Sequence, residues 1–144
     1  MANNSIINAI KRLERAGDAN SKANQKLHDA VVVVADFLID TIPVGIKFEL
    51  HYDKGKLISW SEVEYNHPWN GDLYSGRQLR TAMGTLRPGQ GFNSCNYLPQ
   101  RDTEQMFARE IAEGLIERVL EAVEKATNET VTDVERVKEV VAAL

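Results

Sequence analysis

The tightest limit on how this chain can fold is a seam in its first quarter. Stepping from Ile6 by four and three residues meets Ile10, Leu13, Gly17, Asn20, Asn24, Leu27, Val31, Val34 and Leu38. Seven of these ten positions are large and apolar, at about the 3.5-residue period of a coiled-coil core. The charges Lys11, Arg12, Glu14, Arg15, Lys22, Lys26 and Asp29 fall outside the seam, while Ala9, Ala16, Ala23 and Ala30 run beside it. Its middle is weak, because Gly17 costs a helix about 1 kcal/mol and Asn20 and Asn24 are polar. Two versions follow. Either a short helix and a longer one break near Gly17-Asp18, with Ser21 capping the second, or one long helix uses Asn20 or Asn24 to fix register between paired helices. From Leu27 onward the pattern is apolar nearly all round, through Val31–Val34 and Phe37–Ile39, as in a helix surrounded by protein. Pro43 ends it, because the residue before a proline avoids helical backbone. A helical region over 5–42 and a homodimer or higher oligomer are therefore expected, with long helices packing across subunits.

Period two takes over next. Ile46, Phe48, Leu50 and Tyr52 alternate with Lys47, Glu49 and His51, the mark of a half-buried strand. Asp53-Lys54-Gly55-Lys56 reads as a turn, and a return strand runs from Leu57 to about Tyr65, giving a hairpin over 44–65. Pairing Tyr52 with Leu57 sets Leu50 against Ser59, Ile46 against Val63, Glu49 against Trp60 and Lys47 against Glu62. A lone hairpin is marginal, and Gly91–Leu98 is the best candidate for a third strand.

Residues 102–144 return to helix. Asp102 with Gln105 forms a capping pair, and Met106, Phe107, Ile111, Leu115, Val119 and Val123 give an apolar face. Asn128-Glu129 interrupts, Thr132 with Glu135 forms a second capping box, and Val134, Val137, Val141 and Leu144 line the last helix beside Val140.

Residues 66–101 differ in kind. They hold five of the nine glycines and three of the four prolines, and their charges are Arg77, Arg80, Arg87 and Arg101 against Asp72 alone. No lysine occurs there, although eight occur elsewhere. Arginine without lysine points to planar, bidentate recognition. Ser75-Gly76-Arg77-Gln78 matches a capping box, which predicts a short helix from Gly76 to about Leu86, stopped by Pro88. On it Arg80 and Arg87 would lie within roughly 20° and Arg77 about 60° away, so three guanidinium groups would share one side. Arg77, Arg80 and Arg87 would hold phosphate, Arg101 and Arg109 would support them, Trp69, Tyr74 or Phe92 would stack, and Asn93 and His67 would add hydrogen bonds. The competing expectation pairs these arginines with Glu104, Glu110 and Glu113 of the C-terminal helices across a subunit contact.

Net charge is −4, which argues against a general nucleic-acid coat. One cysteine excludes an internal disulfide and a multi-cysteine zinc site. The longest apolar run, Ala30 to Ala35, is too short to cross a bilayer, and Met1-Ala2-Asn3-Asn4-Ser5 lacks signal-peptide order. A cytoplasmic protein without membrane or cofactor is expected. The stretch Gln90-Gly91-Phe92-Asn93-Ser94-Cys95 faintly resembles the glutamine–glycine…serine–cysteine stretch of papain-like proteases. Its spacing departs from that pattern, and His28, His51 and His67 all precede Cys95. His67 could act as a base with Asp72. No metal or catalytic spacing stands out. The sequence thus predicts a single α+β domain over 1–144: a long N-terminal helix, a small antiparallel sheet, the arginine segment with its short helix, and C-terminal helices. The leading functional expectation is non-enzymatic binding or sequestering of a phosphate-bearing small molecule, most plausibly a nucleotide, in a pocket of an oligomer. The alternatives are a protein-binding adaptor or inhibitor that presents 66–101 to a partner, and a small enzyme using His67 or Cys95.

Overall fold

The computed structural model of the chain describes residues 3–43, 45–51, 58–66, 76–81 and 83–144, with the backbone alone for 47–51, 58–66 and 76. Its class is α+β: one long N-terminal helix, a small antiparallel sheet and two C-terminal helices. Helix α1 spans Asn4–Thr41 without a break. Of the two versions left open by the seam, the continuous one is adopted. A single glycine costs about 1 kcal/mol, and Ala16, Ala19 and Ala23 around Gly17 are strong helix formers. Side-chain bonds also brace the polar stretch: Asn24 Nδ2 donates to Asn20 Oδ1 (3.1 Å) and Gln25 Nε2 to Asp29 Oδ1 (2.9 Å). Asn3 caps the start by accepting from the Ser5 N–H, and the last bond runs from the Ile42 N–H to Leu38 O, just before Pro43.

The two strands of the hairpin pair in the register read. Strands β1 (Lys47–His51) and β2 (Ile58–Asn66) pair antiparallel with Lys47 opposite Glu62, Glu49 opposite Trp60 and Leu50 opposite Ser59. The expected turn residues 53–56 lie outside the described residues.

The expected short helix over 76–86 is replaced by two strands, β3 (Gly76–Thr81) and β4 (Gly84–Arg87). The capping-box pattern is a local signal. It loses to non-local pairing, because β2 supplies six backbone partners from Ser61↔Thr81 to Asn66↔Gly76. Leu79 and Leu86, chosen as one helical face, instead face each other across β3 and β4 and are both fully buried. The turn between the strands is closed by Thr81 Oγ1, which accepts from the N–H groups of Met83 (3.0 Å) and Gly84 (3.1 Å). Strand β5 (Gly91–Cys95) pairs with β4, not with the first hairpin, so β3 is the third strand and β5 the fifth. The sheet order is β1-β2-β3-β4-β5, an antiparallel meander. Thr85 faces Ser94 while Leu86 faces Phe92, which leaves Asn93 as a bulge.

Helix α2 covers Gln100–Ala112 and α3 covers Leu115–Ala143. Asp102 lies inside the first turn of α2 and makes no cap; the helix begins two residues earlier, after Pro99, whose carbonyl accepts from the Thr103 N–H (3.0 Å). The break falls at Gly114, whose φ of +98° suits glycine. It does not fall at Asn128-Glu129, and no second capping box forms. Thr127, Thr130 and Thr132 donate their hydroxyls to the carbonyls four residues back (2.9, 3.0 and 3.0 Å), so the helix itself satisfies the groups that would have capped a new one.

The core is the C-terminal half of α1 laid on β3–β5. Val31, Ala35, Leu38 and Ile39 bury against Leu79, Leu86 and Phe92, joined by Phe107 of α2 and by Leu115 and Val119 of α3. Phe92 and Phe107 meet edge to face with centroids 5.5 Å apart. The β3–β4 turn admits little change, since a Cβ on Gly84 would overlap the Ser94 carbonyl oxygen. Gly84→Ala should therefore cost about 2–3 kcal/mol, seen as a lower urea midpoint at unchanged slope. An unchanged midpoint would show that this close approach of backbones is not needed.

Candidate functional site

Strand geometry parts the arginines that a helix would have gathered. Alternate residues of a strand face opposite sides, so Arg77 goes with Leu79 toward α1, while Arg80 goes to the other side. Arg77 donates from one terminal nitrogen to the carbonyl of Asp40 (3.3 Å) and from the other to the carbonyl of Ile42. These carbonyls belong to the end of α1, where the helix leaves its last acceptors without internal donors. A cation there also complements the helix dipole. Arg77 is thus built into the fold as the C-terminal cap of α1.

Arg80 is exposed and Arg87 half-buried on the sheet side away from α1. They are diagonal neighbours on β3 and β4, about 7–8 Å apart in such a ladder. Gln78 lies beside them, its Oε1 accepting from Arg87 Nε (3.4 Å). Arg101 stands at the start of α2 and donates from Nε to Asn24 Oδ1 of α1 (3.0 Å). Arg109 is exposed in the last turn of α2. Phe92 is in the core with its ring against Phe107, so its expected stacking role is corrected: burial leaves no ring face for a ligand. Asn93 is exposed in the β5 bulge, with Nδ2 donating to Gln90 Oε1 (2.6 Å). His67, Trp69 and Tyr74 lie outside the described residues. Among the described candidates, the structure therefore brings Arg80 and Arg87 together beside Gln78 and disperses Arg77, Arg101, Arg109, Phe92 and Asn93.

Two acidic side chains proposed as arginine partners have other roles. His28 Nδ1 donates to Glu104 Oε2 (2.8 Å), tying α1 to α2 beneath a nearly buried carboxylate. Glu110 accepts from Arg118 (2.5 Å), tying α2 to α3 across the Gly114 break. Neither pair was read from the sequence. His28 follows a seam leucine by one residue, and Arg118 sits eight residues from Glu110 across an unrecognised turn, so no helical spacing announces either. Cys95 is a half-buried free thiol on β5. Among the described residues, no three His, Cys, Asp or Glu side chains gather as metal ligands, and no helix is long and apolar enough to cross a membrane.

The largest undischarged feature lies elsewhere. The front of α1 and the back of α3 are clothed in exposed apolar groups. With α3 unbroken, its apolar line becomes a nine-position seam: Ile116, Leu120, Val123, Thr127, Thr130, Val134, Val137, Val141 and Leu144. It steps by four and three, as the α1 seam does. Leu13 is 72% and Val137 61% exposed. Open hollows lie on both helices, one lined by Ala9, Arg12, Leu13 and Ala16, the other by Glu121, Glu124, Lys125, Asn128, Glu129 and Thr132.

No protein-family model matches the chain, and neither the curated proteins nor the solved structures contain a significant match.

The two arginine roles separate by measurement. Arg77→Ala should lower stability by about 1.5–3 kcal/mol through the lost charged cap, whereas exposed Arg80→Ala should change it by about 0.5 kcal/mol or less. Equal effects in chemical denaturation would contradict this division.

Proposed function

We propose that this chain is a non-enzymatic assembly protein: a small α+β head that associates through two helical arms, the front of α1 and the back of α3. The observation that carries this reading is the pair of uncovered heptad seams. Monomeric proteins rarely leave contiguous apolar surface of this extent in water, and an a/d repeat is the pattern that buries itself against another helix. Leu27–Ile39 adds to it, since the head covers one side and leaves Val33 70% and Phe37 56% exposed. The reading places the protein in the cytoplasm, where its single cysteine, with no second in the chain to pair with, stays reduced.

Sedimentation equilibrium should give a mass at a multiple of 16.1 kDa for the full chain. Leu13→Asp with Val137→Asp, both on exposed helix, should return it to the monomer while the circular dichroism of the head persists. A wild-type monomer at tens of micromolar would overturn the reading.

A second reading is favoured by Arg80 and Arg87 sharing one sheet face beside Gln78. Here the assembly binds an anionic small molecule, such as a nucleotide, on that face. Under it, one member of a nucleotide panel raises the melting temperature, and Arg80→Ala with Arg87→Ala removes the rise. No shift with any nucleotide retires this reading and leaves the assembly reading standing.

A further inference from the structure

The two arms differ in charge. Over residues 4–26, α1 carries five basic and two acidic side chains, a net of +3. Over residues 121–144, α3 carries six acidic and three basic, a net of −3. The hollows on their surfaces repeat the contrast: the one on α1 holds Arg12 as its charged residue, and the one on α3 holds three glutamates against a single lysine. Their lengths match as well. Each arm runs about 23 residues, on the order of 35 Å at the helical rise. A homotypic contact, α1 on α1 or α3 on α3, would bring like charges together along that whole length.

The seams also match in register. In an antiparallel pair, a step of four on one helix faces a step of four on the other. Setting Ile6 against Val141 then places Ile10 against Val137 and Leu13 against Val134. The next two layers put Gly17 against Thr130 and Asn20 against Thr127. Two of the three weak positions of the α1 seam thus meet the two threonines of the α3 seam, the three outer layers are apolar on both sides, and Asn24 falls against Val123. The hydroxyls of Thr127 and Thr130 are already bonded within α3, so their methyl groups are what the layers receive, and glycine leaves room for one of them. A parallel alignment that starts at Ile116 also keeps Ile6, Ile10 and Leu13 on apolar partners, but it brings Leu13 onto Val123, which already packs on the core of its own chain.

We propose that the α1 arm of one copy packs antiparallel along the α3 arm of a second copy. Because every chain carries both halves, a twofold-related pair is held by two equivalent α1–α3 contacts. This rests on the assembly reading above and specifies its partner, orientation and register.

Charge reversal tests it on exposed positions. One variant carries Lys11→Glu, Arg12→Glu and Lys22→Glu, which takes the α1 arm from +3 to −3. A second carries Glu121→Lys, Glu124→Lys and Glu129→Lys, which takes the α3 arm from −3 to +3. Each alone should self-associate at least about tenfold more weakly than wild type in sedimentation velocity at low salt, since the paired arms then carry net charge of the same sign. Mixed in equal amounts, the two should associate again, and a single chain carrying all six changes should self-associate as wild type does. Circular dichroism confirms that each variant is helical. If wild type associates and the single-arm variants associate equally well, the contact is homotypic or belongs to another surface, and this inference falls while the assembly reading survives. If wild type is monomeric, both fall. If the chain associates only after a different helical protein is added, the second copy is the wrong occupant.

Discussion

The seat of α1 on β3–β5 is the contact on which the other features depend. Val31, Ala35, Leu38 and Ile39 press against Leu79, Leu86 and Phe92, so one short stretch of helix covers the apolar face that the five-stranded sheet has to bury. Once that stretch is seated, the polar ties have fixed places. Asp36 accepts from the Gly89 N–H and pins the β4–β5 turn (2.8 Å). His28 reaches Glu104, Arg77 reaches the end of the helix, and Phe107 closes over Phe92. The three polar ties join the C-terminal half of α1, or its end, to the sheet or to α2, and the aromatic pair joins α2 to β5. Among the described residues, the N-terminal half makes no such tie and is exposed.

This division also explains the arginine segment. A lysine-free run of arginines signals chosen geometry, and geometry is indeed what it has at Arg77, Arg87 and Arg101. Their recipients include main-chain carbonyls and amide side chains: Ile42 and Asp40, Gln78, and Asn24. Part of what reads as a ligand site in composition is therefore internal bracing between elements. Lysine carries its three donors on one freely rotating nitrogen, so it lacks the fixed planar fork with which Arg77 meets the two carbonyls from two separate nitrogens.

Period was legible in the sequence and competition between periods was not. The helical period of α1, its Pro43 stop and the β1–β2 register follow from side-chain spacing alone, although that spacing left open whether the helix breaks near Gly17-Asp18. Residues 76–86 carry two patterns at once. Leu79, Met83 and Leu86 fit a helical face, and Leu79 and Leu86 equally fit two facing strand positions. Only the partner strand β2 decides, and its contribution is invisible to a window of a dozen residues. The same holds for the threonines of α3, whose hydroxyls can cap a new helix or bond back into the old one. As for the site, residue type pointed to arginines with specific partners, but which partners required knowing that Arg77 and Arg80 lie on opposite sides of a strand.

Continuity of α1 links the two halves of the molecule energetically. An isolated helix of about 20 residues in water is marginal, chiefly because its first turn is costly to form. The arm of α1 does not meet that cost alone, since it grows from turns already fixed by the core. The exposed bonds Asn24–Asn20 and Gln25–Asp29 then add a few tenths of a kcal/mol each along the way. On α3 the Arg136–Asp133 and Lys138–Glu135 pairs at three-residue spacing do the same. Arms ordered in advance lose little conformational freedom on pairing, so more of the apolar burial along Ile6, Ile10 and Leu13 appears as affinity. The coupling runs in both directions. A partner that binds only the ordered arm also holds the head folded by mass action, so the core of one copy and the seam of another stabilise the same helix.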